Sequence, residues 1–250
     1  MKKRLLLPVM LLAVVNILFT SCSDLVKKVA MKAVSESAEF EKEDTVKWGN
    51  VIERDLDLSS FLAIEAKGAV RIVFTQDSTF SVRVRGNEKC LDEYKFEVRK
   101  NELKVGPKNF NGKVKKSSPA VTLFISAPCL YEVDVEGATK LEMVGAIALP
   151  NSLEIEIAGA GEITIDDLAV EELNIEVNGA GKCNLAKVTA TGDIEIEMNG
   201  AGDVNANVFC QELSVELNGA GNAVLTGECK KLRCEENGAS KVDFSKLNRQ

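Results

Sequence analysis

The sequence predicts an all-β fold, a right-handed parallel β-helix or β-solenoid with glycine-cornered coils of about 20 residues. The first observation is a Gly-Ala corner that recurs every 19 to 22 residues, with its first glycine at Gly137, Gly159, Gly179, Gly200, Gly219 and Gly238. The second is strict alternation of apolar and polar residues before each corner, which is the period of a β-strand. One such repeat cannot bury its apolar face alone, so we expect neighbouring repeats to stack. Crossovers between parallel strands are right-handed in nearly all cases.

Each regular repeat should supply two strands, one on either side of the corner. The strands before the corner are clearest at Leu153–Ile157, Leu173–Val177, Ile194–Met198 and Leu213–Leu217. Glycine supplies the backbone angles that other residues resist at a corner. An asparagine precedes four of the corners, and its amide should bond to the next one along the stack: Asn178, Asn199, Asn218 and Asn237.

The first half of the chain is less regular. The strand, Gly-Ala, strand pattern is present around Gly68, so the stack should start there. Residues 109–118 have the composition of a loop. We therefore divide the folded part into a less regular N-terminal β part, residues 46–130, and regular β-solenoid repeats, residues 131–250.

The N-terminus predicts export and lipid anchoring. Residues 1–21 have a basic start, an apolar run and small residues before a cysteine, as in a lipoprotein signal peptide. The small residues and Cys22 resemble the lipobox of bacterial lipoproteins, in which the cysteine is acylated. An ordinary secretory signal beside a cysteine is the alternative. We expect Cys22 to hold the chain to a membrane, with residues 22–45 as a lipid-anchored tether or an unstructured spacer.

The chain resembles the family called putative auto-transporter adhesin, head GIN domain. The resemblance covers about residues 50–245 and rests on the signal, the run of Gly-Ala-Gly corners and three further segments, Asp57–Ile64, Gly68–Ile72 and Pro128–Tyr131. It implies a right-handed β-helical fold and a surface or envelope location. The family supplies no catalytic residues to transfer.

The composition argues against most enzyme classes. With no histidine, the chain lacks Ser-His-Asp and Cys-His systems and most zinc sites. Its Gly-Ala-Gly corners lack the third glycine and the helix of a dinucleotide or phosphate site, so we expect no cofactor and no metal. A net charge of −7 and 5% aromatic residues argue against nucleic acid as a partner. A polysaccharide-active β-helix enzyme, working with acidic residues in a cleft, is the remaining enzymatic alternative.

An acidic residue lies three positions before every corner glycine. These residues alternate with the apolar ones and should therefore point outward in one file: Asp134, Glu156, Glu176, Glu197, Glu216 and Glu235. Stacked carboxylates repel one another unless they are solvated, screened or bridged. The file is either a solvated face that prevents aggregation or a stripe that binds cations or a basic partner.

A basic segment interrupts this acidic chain. Between Lys95 and Lys116 there are eight basic residues and two acidic ones, and the candidate patch consists of Lys104, Lys108, Lys113, Lys115 and Lys116. Such a patch suits anionic glycans, lipid phosphates or the acidic file of another copy. A solvated basic loop is the alternative.

The cysteines suggest one candidate disulfide. Cys210 and Cys229 each follow their corner glycine by ten residues, which places them in adjacent repeats at a distance that a disulfide spans. Buried free thiols are the alternative, because stacked side chains point alongside each other. Cys183 and Cys234 occupy apolar strand positions, as buried thiols do.

Together these observations predict a non-enzymatic lipoprotein of the cell envelope, at the outer membrane or the cell surface. The predicted function is that of an adhesin or binding scaffold, which presents a repetitive surface to a glycan, a protein or copies of itself. An envelope structural or stress-related component is the alternative function.

Overall fold

The computed structural model describes residues 49–112 and 120–250. It is built almost entirely of strands with one short helix in these ranges, which confirms the predicted all-β class. In chain order the elements are β1 (Val51–Leu56), β2 (Ala63–Gln76), β3 (Ser81–Asn87), α1 (Glu88–Glu93), β4 (Tyr94–Arg99), β5 (Glu102–Pro107), β6 (Val121–Ala127), β7 (Glu132–Ala148), β8 (Leu153–Val170), β9 (Leu173–Ala190) and β10 (Ile194–Arg249).

The strands form one large mixed sheet. Its order is β1-β3-β6-β2-β7-β8-β9-β10, and β5 pairs with both β2 and β4. The run from β2 through β7, β8 and β9 to β10 is parallel throughout. Parallel pairing of successive repeats is therefore confirmed for the regular part. The less regular part joins the same sheet, because β2 pairs directly with β7.

The N-terminal part departs from the predicted parallel stack. β1 pairs with β3, β3 with β6 and β4 with β5 in antiparallel fashion. For β4 and β5, the antiparallel pairing follows from the two residues that link them, because Lys100 and Asn101 both have positive φ angles, 54° and 63°. Two such residues make the tight hairpin turn that suits the twist of antiparallel strands.

The parallel strands are aligned on their corner glycines. The pairs are Gly68 with Gly137, Gly137 with Gly159, Gly159 with Gly179 and Gly179 with Gly200. The later glycines stack in the same way, because a Cβ added to Gly219 would lie 1.8 Å from the carbonyl oxygen of Gly200. Equivalent residues of every repeat are thus neighbours in space. Any side chain that recurs in the sequence becomes a file on the surface or in the core.

The core is a continuous stack of aliphatic side chains. The residue four positions before each corner glycine is buried at 0–1% exposure in five successive repeats: Val133, Ile155, Ile175, Ile196 and Val215. In the N-terminal part, the rings of Phe61 and Phe80 add an edge-to-face contact at 5.1 Å. The predicted apolar face is therefore the inner face of the repeats.

Several predictions lie outside the described residues. These are the signal peptide of residues 1–21, the tether of residues 22–45, the lipidation of Cys22 and the basic residues Lys113, Lys115 and Lys116. They stay predictions. Within residues 49–112 and 120–250, no helix is long and apolar enough to cross a membrane.

Candidate functional site: an acidic outer face

The six predicted acidic residues, here called the acidic file, follow the strand register. Asp134 pairs with Glu156, Glu156 with Glu176 and Glu176 with Glu197. The repeats that carry Glu216 and Glu235 continue the same stack through their asparagines. The carboxylates therefore succeed one another at the spacing of parallel strands, about 4.8 Å.

The structure adds one member that the sequence analysis missed. Glu65 of β2 pairs with Asp134 and extends the acidic file by one strand. The signal was available, because Glu65 lies three residues before Gly68, the same offset as in the later repeats. It was obscured because the repeats around Gly68 and Gly137 are separated by β3 to β6.

An amide ladder runs beside the acidic file. The Nδ2 of Asn199 donates to Asn178 Oδ1 at 2.9 Å, and Asn218 and Asn237 each donate to the preceding asparagine at 2.8 Å. This confirms the predicted asparagine stack. The second amide hydrogen goes to the acidic file, since Asn178, Asn199 and Asn218 each donate to the glutamate two residues earlier at 2.7 Å. Three carboxylates of the acidic file thus receive a hydrogen bond from an amide.

Asp134 and Glu156 of the acidic file lack this amide. The position two residues further on is Glu136 after Asp134 and Ala158 after Glu156. Burial, followed by the neighbouring carboxylates, raises the pKa of both Asp134 and Glu156. The pKa of Glu132 is raised for the same reasons. Negative charge is therefore less compensated at Asp134 and Glu156 than at Glu65, which is paired with Lys67 and Lys104, or at the three glutamates that accept an amide hydrogen bond.

A groove of about 530 Å³ is lined by Glu132 and Glu154, which lie two residues before Asp134 and Glu156 of the acidic file. Its acidic lining residues come from successive repeats: Glu132, Glu154, Glu172, Asp193 and Glu195. Tyr131, Ser152 and Asn174 contribute polar groups, and no basic side chain lines it. In the part of the chain that the structure describes, no group of three or more acidic or cysteine side chains is arranged to hold a metal ion. The groove and the acidic file form one surface, the acidic face.

The strand after the corner has a different surface. There the paired residues alternate in charge, in the order Lys140, Glu162, Lys182 and Asp203. Lys140 Nζ lies 3.9 Å from a Glu162 carboxylate oxygen. Opposite charges on neighbouring strands attract each other, so the positive and negative charges of this alternating file neutralise one another. The accumulation of like charge is thus a property of the acidic face and not of the fold as a whole.

The described members of the predicted basic patch, Lys104 and Lys108, have different partners. Lys104 forms ion pairs with Glu65 and Glu102, the latter at 2.8 Å. The hydrogen bond from Lys104 lowers the pKa of Glu65 most, and the hydrogen bond from Lys67 lowers it further. Lys108 instead donates to the backbone oxygen of Asp92 at 2.7 Å. Lys104 therefore terminates the acidic file.

The cysteines of the described ranges are all free thiols in this structure, including Cys210 and Cys229. Cys229 is buried and Cys210 is half-buried. Burial raises the pKa of Cys210 to about 12. A thiol with such a pKa is protonated at neutral pH and is a poor nucleophile.

Neutralising one residue of the acidic face should stabilise the protein. Glu156→Gln removes the repulsion with Asp134 and Glu176, so we expect the unfolding free energy to increase at neutral pH. The increase should be at most about 0.5 kcal/mol, as is typical of surface substitutions. Because the folded-state pKa of Glu156 is raised above 4.5, protonation stabilises the fold, and this contribution is lost as pH rises through that pKa. Urea unfolding at pH 4 to 7 should show the gain of the variant shrinking on acidification.

The matched control is Glu162→Gln in the alternating file. Glu162 lies between Lys140 and Lys182, so the same substitution there should reduce stability slightly. Added salt should weaken both effects. A loss at Glu156 equal to the loss at Glu162 would show that the acidic face is not under repulsion.

Comparison with known proteins agrees with this architecture. A family model described as "Putative auto-transporter adhesin, head GIN domain" matches residues 60–193 and 176–250. A putative adhesin from Bacteroides fragilis NCTC 9343 shares the fold at 17% identity with a TM-score of 0.56, over 80% of this chain and 97% of that one. A putative adhesin from Parabacteroides distasonis ATCC 8503 does so at 15% identity with a TM-score of 0.54, over 77% and 96%.

No curated protein matches the sequence. At the identities of the two solved structures, the likeness concerns the fold alone. The family match spans most of the chain, including β2, the acidic face and the last repeat. The chain therefore belongs to the family described as putative auto-transporter adhesin, head GIN domain.

Proposed function

We propose that this chain is a non-enzymatic binding protein of the cell envelope, held to the membrane by a lipid on Cys22, that contacts a cationic protein partner through its acidic face. The observation that carries the proposal is the in-register stacking of carboxylates from Glu65 to Glu197. We further propose that the repeats wind as a right-handed β-solenoid. The names of the family and of its solved relatives support a surface role.

The distribution of the acidic residues favours binding over catalysis. General acid and base catalysis needs a few groups that converge on one point and differ in their protonation. Here the acidic residues recur at fixed offsets from the corners. Even the groove follows the repeat, since Glu172 and Asp193 each directly precede the first residue of a strand, Leu173 and Ile194. Such a surface offers the same group many times, which suits an extended partner with several contacts.

The electrostatics favour a cationic partner. The carboxylates at Glu132, Asp134 and Glu156 are partly desolvated and repel one another, which raises their pKa. A lysine or arginine side chain placed between them would relieve this repulsion. Complementary charge also accelerates encounter and excludes acidic competitors.

Binding of charged peptides tests the proposal. The full chain in mild detergent should bind a lysine-rich peptide and should not bind its glutamate counterpart. The double variant Glu154→Gln with Glu156→Gln should raise the dissociation constant about tenfold, a loss of about 1.4 kcal/mol. The control, Glu162→Gln with Asp203→Asn, also removes two carboxylates but from the alternating file, and it should bind as the unmodified chain does.

Two results would overturn the assignment of the acidic face. Equal losses in both double variants would mean that net charge and not the face controls binding. Equal binding of the lysine and glutamate peptides would exclude a cationic partner. The anchor is tested separately, because Cys22→Ser should move the chain from the membrane fraction to the soluble fraction, and continued membrane partitioning would refute the lipid on Cys22.

A further inference from the structure

The last repeat, residues 230–249, lies at the outer edge of the sheet. β10, which contains it, is the final strand in the sheet order. The repeat stacks on its predecessor through the hydrogen bond from Asn237 to Asn218 at 2.8 Å. The backbone of Gln250 also donates to the Cys229 carbonyl oxygen at 3.2 Å. We call residues 230–249 the end repeat.

The inward positions of the end repeat are incompletely covered. Leu232 and Cys234 are half-buried, and Phe244 is 37% exposed. The equivalent residues one repeat earlier are fully buried at 0% exposure: Leu213, Val215 and Leu225. An edge strand with exposed apolar side chains is a template for pairing with another chain. The end repeat therefore presents a surface on which a further repeat would fit.

One inward position breaks the apolar pattern. Glu236 lies two residues before its corner glycine, where every earlier repeat from β7 onward has a residue buried at 0–3% exposure: Val135, Ile157, Val177, Met198 and Leu217. Glu236 itself is exposed, and a carboxylate oxygen accepts a hydrogen bond from the Val242 backbone at 3.1 Å. A strand stacked on this edge would have to bury that carboxylate.

A basic residue covers part of the same surface. The guanidinium of Arg249 lies 5.4 Å from the ring centroid of Phe244. The pKa of the Cys234 thiol is raised mainly by burial and to a smaller extent by the negative charge of Glu236, whereas the positive charge of Arg249 lowers it. Glu236 through Val242, and Arg249 through Phe244, thus each contact a residue at an inward position of the end repeat.

We propose that Glu236, assisted by Arg249, prevents the end repeat from stacking on the end repeat of a second copy of this chain. A tail-to-tail contact about a two-fold axis would take the Glu236 carboxylates and the Arg249 guanidinium groups of both copies out of water, and the desolvation of charged groups disfavours association. Inward-pointing charges are among the devices by which natural sheets protect their edges. The end repeat is a self-association surface that this carboxylate keeps closed.

Replacing the carboxylate should open the surface. The full chain carrying Glu236→Leu, in mild detergent, should approach twice the mass of one copy in sedimentation equilibrium as concentration rises. Its dissociation constant for self-association should fall at least about tenfold below that of the unmodified chain. The matched control is Glu235→Leu, the same change one residue earlier on the outward face, and it should associate no more than the unmodified chain.

A second variant separates charge from packing. Glu236→Gln keeps an oxygen acceptor for the Val242 backbone and removes only the charge, so it should fold as the unmodified chain does and still associate more strongly. The proposal is overturned if Glu236→Gln associates no more than the unmodified chain, because association of Glu236→Leu alone would then come from its added apolar side chain. It is also overturned if Glu235→Leu associates as strongly as Glu236→Leu.

Discussion

Replacing Gly200 with alanine is expected to reduce the unfolding free energy by more than about 4 kcal/mol, a range reached by few single substitutions. Gly200 has a backbone φ angle of 145°, which residues other than glycine rarely adopt. A Cβ at this position would also lie 1.8 Å from the carbonyl oxygen of Gly179 in the neighbouring repeat. The two repeats would have to separate, with loss of their parallel pairing. Urea unfolding monitored by circular dichroism measures the loss.

Gly145→Ala is the matched control for this effect. Gly145 also has a positive φ, 83°, but nothing lies within 4 Å of a Cβ built there. Its substitution should cost only the backbone strain, about 1–2 kcal/mol. Equal losses at Gly145 and Gly200 would mean that the corner glycines are required for their dihedral angles and not for the close approach of stacked repeats.

Val177→Asp is expected to destabilise the chain by about 3–5 kcal/mol, the cost of an uncompensated buried charge. Val177 is 2% exposed and pairs in register with Ile157 and Met198, which are equally buried. A carboxylate there would face apolar side chains from both neighbouring repeats. Thermal unfolding of purified variants measures the effect.

The same substitution at an outward position provides the control. Val224 is 41% exposed, so Val224→Asp should change stability by no more than about 0.5 kcal/mol. If the two aspartates had similar effects, the inward and outward positions of the repeat would be misassigned by one residue. Such a shift would also place the acidic file inside the stack.

The acidic face was only partly accessible from the sequence. A fixed offset from the corner glycine predicts that Asp134 and Glu156 are neighbours, because stacked repeats bring equivalent residues together. The groove was not predicted, because its lining combines strand residues with Ser152, Glu172 and Asp193 from the links between successive strands. The role of Lys104 was not predicted either. It depends on the pairing of β5 with β2, which brings Lys104 opposite Glu65.

The end repeat departs from the repeat pattern at one inward position, Glu236. Glu236 has the same offset as Leu217 and Met198, so the exception is visible in the sequence once the register is known. Its meaning is not. Only the structure shows that the neighbouring inward residue Phe244 is exposed and that Arg249 covers its ring.

The sequence by itself determined the all-β class, the repeat length and the inner and outer faces. It also determined which residues of successive repeats lie next to each other in the stack. It did so because period-two alternation is local and a constant offset from a glycine fixes register wherever repeats stack. Only the tertiary structure decided the pairing of the N-terminal strands β1 and β3 to β6, the ion pairs that end the acidic file, and the groove. Those features depend on contacts between segments far apart in the chain that share no repeated pattern, so no local signal specifies which strand lies beside which.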